Sequence, residues 1–147
     1  MFSFSGTYHV FIDTKGRINL PSKFIEVLNN RYNNTLVLFK IDDCIVIYPE
    51  KEWEVYEEKV LRLSSMKKNV RDYRRIFYSR VQKDCILKHG KILIPQSLRE
   101  YANLNREVVL LGASTIIEIW SKEIWDEFIA NNDDKFEELA EEMANLG

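Results

Sequence analysis

Cysteine and histidine are both scarce in this sequence of 147 residues, which contains two of each. Two cysteines cannot form the disulfide framework of a small secreted domain. Cys44 and Cys85 lie in apolar, strand-like surroundings, so we expect buried free thiols in a reducing compartment.

The N-terminal segment lacks the charged and apolar regions of a signal peptide, and no apolar run approaches the roughly 20 residues that span a bilayer. The sequence therefore predicts a cytoplasmic protein without a membrane partner.

Catalytic and metal-binding signatures are also missing from the sequence. The two histidines, His9 and His89, are far apart, and neither has a cysteine or carboxylate at metal-ligand spacing. There is no CxxC, HExxH, P-loop or dinucleotide-binding glycine motif, and no serine lies in a nucleophile elbow. Acidic pairs such as Asp42–Asp43 fall at predicted turns, where carboxylates are usually solvated. We therefore expect no enzyme activity, no metal, no cofactor and no small-molecule substrate.

The charged residues are unevenly distributed along the chain. The formal net charge is only −2, and 30% of residues are charged, as in an ordinary globular protein. Residues 121–147 nevertheless contain nine acidic and two basic side chains, a net charge of −7, whereas residues 1–120 have a net charge of +5. A mildly basic body with an acidic tail is compatible with a nucleic-acid partner, although it does not require one.

An internal repeat is the most informative feature of the sequence. The segment GRINLP at residues 16–21 recurs as GKILIP at residues 90–95, an offset of 74. Three further matches follow in the same order at an offset of 72: residues 36–39 with 108–111, residues 44–48 with 116–120, and Trp53 with Trp125. Because a collinear series is not expected by chance, we infer two homologous units. The predicted segments are a first unit at 1–63, a basic connecting helix at 64–80, a second unit at 81–130 and an acidic helical tail at 131–147.

Both units have the same predicted order of elements, β-β-α-β-β followed by a helix. The predicted strands are 6–12, 17–20, 35–40 and 44–48 in the first unit, and 81–87, 91–94, 107–112 and 116–120 in the second. The predicted helices begin near residues 21, 49, 96 and 121. A unit of about 50 residues buries little surface alone, so we expect the two to pack by pseudo-twofold symmetry and cover each other's strand edges. The predicted fold class is α+β, with tandem β-β-α-β-β repeats forming a barrel-like domain with flanking helices.

Two segments outside these units have amphipathic helical patterns. The connecting segment places Met66, Val70, Tyr73 and Phe77 on one face and most of its lysines and arginines on the other. The tail has an apolar stripe backed by glutamates. We expect the basic face to have a structural or inter-subunit role, with the acidic tail of a neighbouring subunit as one partner for it.

The loop Asp13-Thr14-Lys15-Gly16-Arg17 is the strongest candidate binding site. Gly16 can adopt the positive φ that a tight reversal between strands needs, which allows Asp13 and Arg17 to face each other. A carboxylate beside the guanidinium would hold it in one orientation, from which it could donate two hydrogen bonds to guanine O6 and N7. Lys15 would then contact a phosphate. The alternative from the loop alone is a plain hairpin with a surface ion pair of little energetic value.

Several motifs together resemble the MraZ family of AbrB-like DNA-binding proteins. They are DxxGRIxLP at residues 13–21 with its repeat 74 residues on, LRLSSM at 61–66, LRxYA at 98–102, VVLLG at 108–112 and IEIW at 117–120. The resemblance covers nearly the whole chain and fades after about residue 130. It implies an AbrB-like β-barrel of the double-psi or swapped-hairpin type.

The same resemblance implies a nucleoid-associated bacterial transcription regulator. Such a protein would form a ring-shaped homo-oligomer, an octamer or larger, and bind short direct repeats in double-stranded DNA through DxxxR loops. Its target would be the promoter of its own division and cell-wall gene cluster. The alternative function is an oligomeric protein-interaction module that no longer reads DNA.

The second loop departs from the DxxxR pattern that the first loop matches. Aligned at the offset of 74, Leu87 takes the aspartate position and Lys91 the arginine position, with Lys88, His89 and Gly90 between them. Lysine cannot reproduce the planar bidentate fork of arginine. We therefore expect the first loop to read bases and the second to contact phosphates; the alternative is that the second loop takes no part in DNA binding.

Overall fold

The strands and helices of the two units follow the predicted order in the computed structural model, which describes residues 2–147. Their bounds are β1 Phe4–Phe11, β2 Arg17–Asn19, α1 Ser22–Arg31, β3 Thr35–Ile41, β4 Cys44–Pro49, α2 Glu50–Leu61, α3 Lys68–Ser79, β5 Val81–Ile86, β6 Lys91–Leu93, α4 Gln96–Tyr101, β7 Glu107–Ser114, β8 Ile116–Ser121, α5 Lys122–Asn132, a 3-10 turn at Asp133–Lys135, and α6 Phe136–Leu146. The three prolines of the sequence immediately precede α1, α2 and α4. Proline favours such positions because its φ is fixed and it has no N–H to leave unpaired.

The two units exchange strands about a pseudo-twofold axis, as the repeat predicts. The main sheet is antiparallel, with strand order β1-β7-β8-β4-β3-β5, and β2 pairs with β6 in a separate two-stranded ribbon. Val46 pairs with Glu118 and Ile18 pairs with Ile92. These partners are 72 and 74 residues apart, the two offsets of the sequence repeat. Each residue therefore faces its own counterpart, and the axis passes through both pairs.

The predicted α+β fold with two packed repeats is confirmed, but the main sheet is open and does not close into the predicted barrel. In the described residues, β1 and β5 form its two edges and are not paired with one another. The β2–β6 ribbon lies across this opening and is joined to the preceding segments by the isolated bridges Ile12–Ile18 and Lys88–Lys91. Strands of only three residues are too short to complete a continuous ladder, so the ribbon covers the core without closing the sheet.

Three apolar clusters hold these layers together. The largest lies between the main sheet and the ribbon, and it includes Ile18, Leu38 and Ile92 together with residues of α1 and α4. On the opposite face of the sheet, α2 and α3 cover β3 and β4, and α5 covers β7 and β8. Both cysteines are buried and free, as predicted. Burial raises the pKa of the Cys85 thiol to about 11.

Candidate nucleic-acid interface

The first loop is a three-residue hairpin whose shape depends on glycine. The N–H of Gly16 donates to the carbonyl of Asp13 at 3.0 Å, and the N–H of Asp13 donates to the carbonyl of Arg17 at 3.0 Å. Gly16 has φ of 88°, the left-handed conformation that such a loop needs at its third residue. A Cβ at this position would also lie 2.9 Å from the carbonyl oxygen of Ile94 and 2.8 Å from Nε of Arg99. Any side chain there would therefore be both strained and obstructed.

The Asp13 carboxylate fixes the guanidinium of Arg17. Its Oδ1 accepts hydrogen bonds from the backbone N–H groups of Lys15 and Arg17, both at 2.9 Å, and its Oδ2 accepts one from Nε of Arg17 at 2.8 Å. The side chains of Arg17 and Asp13 are 44% and 36% exposed. Because the carboxylate engages Nε, the two terminal nitrogens of the guanidinium stay available for a bidentate contact. This is the arrangement that the sequence predicts.

These contacts lower the pKa of Asp13 to about 2. The largest cause is the hydrogen bond from the backbone N–H of Arg17, and the side-chain hydrogen bond from the same residue adds to it. The folded loop favours the ionised form of the Asp13 carboxyl group. The contribution of these contacts to the stability of the fold is therefore complete above the ordinary aspartate pKa, and it is lost as the pH falls through about 2. The orientation of Arg17 therefore persists throughout the neutral range.

We expect a carbon-detected NMR titration of the Asp13 carboxyl group to give a midpoint near pH 2. In Arg17→Ala the side-chain donor is lost but the backbone donors remain, so the midpoint should rise only part of the way to the ordinary value of 3.8. A midpoint of 3.8 in the unmodified protein would show that the carboxylate does not hold the loop and the guanidinium as described.

The second loop is one residue shorter than the first. The N–H of Lys88 donates to the carbonyl of Lys91 at 2.9 Å, and the N–H of Lys91 donates back at 3.0 Å. Only two residues lie between them, His89 with φ of 54° and Gly90 with φ of 74°. Positive φ at both central residues is the signature of a type I′ turn. The two loops are therefore different hairpins and not two copies of one loop.

This difference corrects the predicted match between Leu87 and the aspartate position. Leu87 and Ile12 are both buried, and their N–H groups donate equivalent hydrogen bonds to the carbonyls of the residues preceding β3 and β7, at 2.8 and 2.9 Å. Leu87 is thus the counterpart of Ile12. The place of Asp13 is taken by Lys88, so two lysines occupy the positions that an ion pair occupies in the first loop.

A β-bulge in β5 explains why the sequence offset stays at 74 despite the shorter turn. The pairing of β5 with β3 shifts register between Leu36 and Leu38, so one extra residue of β5 lies opposite this part of β3. Asp84 has φ of 61° there. The bulge absorbs one residue before the turn, which then has one residue fewer.

Basic residues from both loops meet at the β2–β6 ribbon. Ile18 and Ile92 point into the core, so alternation places Arg17, Asn19 and Lys91 on the outer face. A depression of about 570 Å³ is lined by Arg17, Ile86, Lys88, His89, Lys91, Ile92 and Leu93. Its lining within residues 2–147 includes no carboxylate. The geometry therefore combines one oriented arginine with a basic, concave surface.

Thr14 faces a second depression, which also contains an arginine that was not among the predicted site residues. Thr14 lies beside α4 in a hollow that also includes Arg99. Nε of Arg99 donates to the carbonyl of Ile94 at 2.9 Å, next to Gly16. Arg99 thus supports the first loop, a role that its place in the LRxYA motif does not by itself indicate. Asn19 lies two residues after Arg17 on the same outer face of the ribbon, but it does not line the depression that contains Arg17.

Comparison with known proteins identifies the family. The family model described as "MraZ protein, putative antitoxin-like" matches residues 3–76 and 86–146, one match for each unit. The chain belongs to the MraZ family.

Its MraZ relatives match over almost their whole lengths. A protein of Clostridium tetani is 43% identical over 98% of this chain and 99% of its own. The corresponding values are 40%, 97% and 99% for a protein of Desulforamulus reducens, and 42%, 98% and 99% for one of Clostridium acetobutylicum. Each is named Transcriptional regulator MraZ.

Two further observations concern the described part of the chain. None of its helices is both long and apolar enough to cross a membrane. Across residues 2–147, histidine, cysteine and carboxylate side chains do not gather in groups of three or more that could hold a metal ion.

Proposed function

We propose that this protein is a sequence-specific DNA-binding transcriptional regulator. The observation that carries the proposal is the Asp13–Arg17 pair, in which a partly exposed guanidinium is held in one orientation beside a basic depression. The relatives named as transcriptional regulators support the same function.

In this function the residues of the two loops have different roles. Arg17 donates two hydrogen bonds to guanine O6 and N7 in the major groove. Lys15 and Thr14 flank it, and Lys15 contacts a phosphate. The second loop, Lys88-His89-Gly90-Lys91, contacts phosphates, because two lysines without an orienting carboxylate act as point charges. Gly16 and Gly90 permit the two turns.

The full proposal includes a ring-shaped homo-oligomer that binds short direct repeats. One arginine per subunit gives little affinity or discrimination, and several loops on successive repeats overcome this by multivalency. The target is the promoter of the protein's own division and cell-wall gene cluster, and the protein acts in the cytoplasm at the nucleoid. This part of the proposal rests on the family resemblance.

Fluorescence anisotropy with the DNA upstream of the protein's own gene tests this function. A scrambled duplex of the same composition is the control, and both are titrated across a salt series. We expect tighter binding to the native duplex, and an affinity that falls steeply with salt because several phosphates are contacted at once. Equal, weak binding to both duplexes would contradict the proposal and favour a protein-interaction module.

A further inference from the structure

The guanidinium of Arg99 lies against the first loop, although it belongs to the second unit. Arg99 is part of α4, whereas the loop connects β1 and β2 of the first unit. Its Nε and Cζ lie 2.8 and 2.9 Å from the point that a Cβ on Gly16 would occupy. Glycine at this position therefore allows the guanidinium to approach the backbone of the loop closely.

The pseudo-twofold counterpart of this contact contains no charge. At the offset of 74, Ile25 of α1 takes the position of Arg99. Its Cδ1 lies 3.6 Å from the Cβ point of Gly90, the counterpart of Gly16. The backbone hydrogen bonds to the carbonyls of the two glycines are also equivalent, at 2.8 and 2.9 Å. The same place in the fold therefore holds a cation beside the first loop and an aliphatic side chain beside the second.

Ile94 joins Arg99 to the first loop. Its N–H donates to the carbonyl of Gly16 at 2.8 Å, and its own carbonyl accepts a hydrogen bond from Nε of Arg99 at 2.9 Å. Ile94 is fully buried, and Leu93 before it pairs with Arg17 in the ribbon. The two arginines are thus attached to the same hairpin, and an oxygen atom holds each of them through Nε.

The end of α4 fixes the backbone of Arg99 as well. The N–H of Leu104 donates to the carbonyl of Arg99 at 2.9 Å, and the N–H of Asn103 donates to the carbonyl of Glu100 at 3.2 Å. Asn103 has φ of 53°, so these two bonds form a Schellman motif. The side chain of Arg99 is partly buried. A side chain held in this way loses little further freedom when it contacts a ligand.

The terminal nitrogens of Arg99 have no hydrogen-bond partner within residues 2–147, where its side chain donates only through Nε. Arg99 lines a polar depression of about 620 Å³ together with Thr14 of the first loop. The one carboxylate among the lining residues, Glu100, accepts a hydrogen bond from the Gln96 amide at 3.0 Å and forms no ion pair with Arg99. A guanidinium with free terminal nitrogens is suited to bind two oxygens of a phosphate.

We propose that Arg99 is a further DNA-contacting residue, which binds a backbone phosphate on the Thr14 side of the first loop. A loop that reaches base edges in the major groove has a sugar-phosphate backbone on each side, because that groove is about 12 Å wide. The lysines of the second loop lie on the Arg17 side, and Arg99 provides the cation on the other. The inference rests on the proposed DNA-binding function and adds to it a contact from the second unit.

Anisotropy titrations of three variants across a salt series test this contact, with the native and the scrambled duplex. Arg99→Gln removes the charge, and it should weaken binding to both duplexes by a similar factor. The slope of log K against log salt should become less steep by about 1 per lost phosphate contact. Arg99→Lys should retain the slope, since an ammonium group also neutralises a phosphate. The control Lys51→Gln removes an exposed charge from α2, on the opposite face of the sheet, and should bind like the unmodified protein.

A purely structural role of Arg99 predicts a different result. Both substitutions would then disturb the Asp13–Arg17 pair, raise the NMR midpoint of the Asp13 carboxyl group above about pH 2, and reduce the preference for the native duplex. We expect the midpoint and the preference to stay unchanged in both variants, and circular dichroism checks their folding.

Two results would overturn the inference while leaving the proposed function intact. One is an unchanged salt slope in Arg99→Gln, and the other is a raised Asp13 midpoint with a lost preference in Arg99→Lys. Equal, weak binding of the unmodified protein to both duplexes would instead overturn the proposed function, and this inference with it.

Discussion

Arg17→Ala is expected to remove most of the preference for the native duplex over the scrambled one. A bidentate arginine contact to guanine is worth about 1–3 kcal/mol of discrimination, or roughly 5- to 150-fold per contact. The Asp13 carboxylate holds the guanidinium through Nε at 2.8 Å, so this contact needs little further ordering of the side chain. The measurement is the ratio of the two dissociation constants by anisotropy at a fixed salt concentration.

Lys91→Ala should behave differently from Arg17→Ala. Lys91 lies opposite Lys88 across a type I′ turn, where no carboxylate corresponds to Asp13 among the described residues. Its ammonium group acts as a point charge on a phosphate, so its loss should weaken binding to both duplexes by a similar factor. The slope of log K against log salt should become less steep by about 1 per lost phosphate contact.

Arg17→Lys is the matched control for this comparison, since it keeps the positive charge and loses the planar guanidinium that donates two parallel hydrogen bonds. It should retain most of the affinity for the scrambled duplex and lose the discrimination. An equal loss of discrimination in Arg17→Ala and Lys91→Ala would contradict the division of roles between the loops.

The symmetry of the fold was predictable from the sequence because it depends on spacing. The offsets of 72 and 74 reappear in the structure as the pairs Val46–Glu118 and Ile18–Ile92. The open sheet was not predictable in the same way. Whether β1 and β5 meet is decided by contacts between residues far apart in the chain, and the pattern within each strand carries no information about them.

The first loop was predictable and the second was not, for a local reason. The prediction for Asp13 and Arg17 needed only a turn with glycine at one position. The assignment of Leu87 assumed that a constant offset means equivalent residues. The bulge at Asp84 adds one residue before the turn and the shorter turn removes one, so the offset is 74 on both sides although the residues between are not equivalent. Hydropathy was the available signal, because Leu87 corresponds to the apolar Ile12 and not to a charged residue.

Periodicity also predicted the faces of α3 and α6 without predicting what they contact. Phe77 on α3 is 3% exposed within a cluster of aromatic rings, whereas Phe136 on α6 is 65% exposed. Both belong to similar amphipathic patterns in the sequence. A stripe specifies which side of a helix is apolar, and only the tertiary structure shows whether the same chain covers it.

Phe77→Ala should cause the largest loss of stability among the substitutions considered. The ring lies 5.2 Å from Phe39, 5.4 Å from Trp53 and 5.5 Å from Tyr56, measured between centroids. Removing a buried phenylalanine side chain costs about 3–5 kcal/mol, through lost burial and the cavity left behind. Denaturant unfolding gives the free energy of unfolding. Tyr78→Phe, which removes only an exposed hydrogen bond of 2.9 Å to Glu57, should cost no more than about 1.5 kcal/mol.

The same substitution separates the two surfaces of the molecule. The Phe77 cluster lies on the outer face of β3 and β4, whereas the β2–β6 ribbon covers the opposite face of the sheet. While the chain remains folded, Phe77→Ala should therefore loosen α3 without changing the preference of the protein for its native duplex. A loss of DNA discrimination in the folded variant would show that α3 and the reading loop are coupled through the sheet. If Phe77→Ala lowers the free energy of unfolding by less than about 1 kcal/mol, burial of this ring contributes little and α3 is held by other contacts.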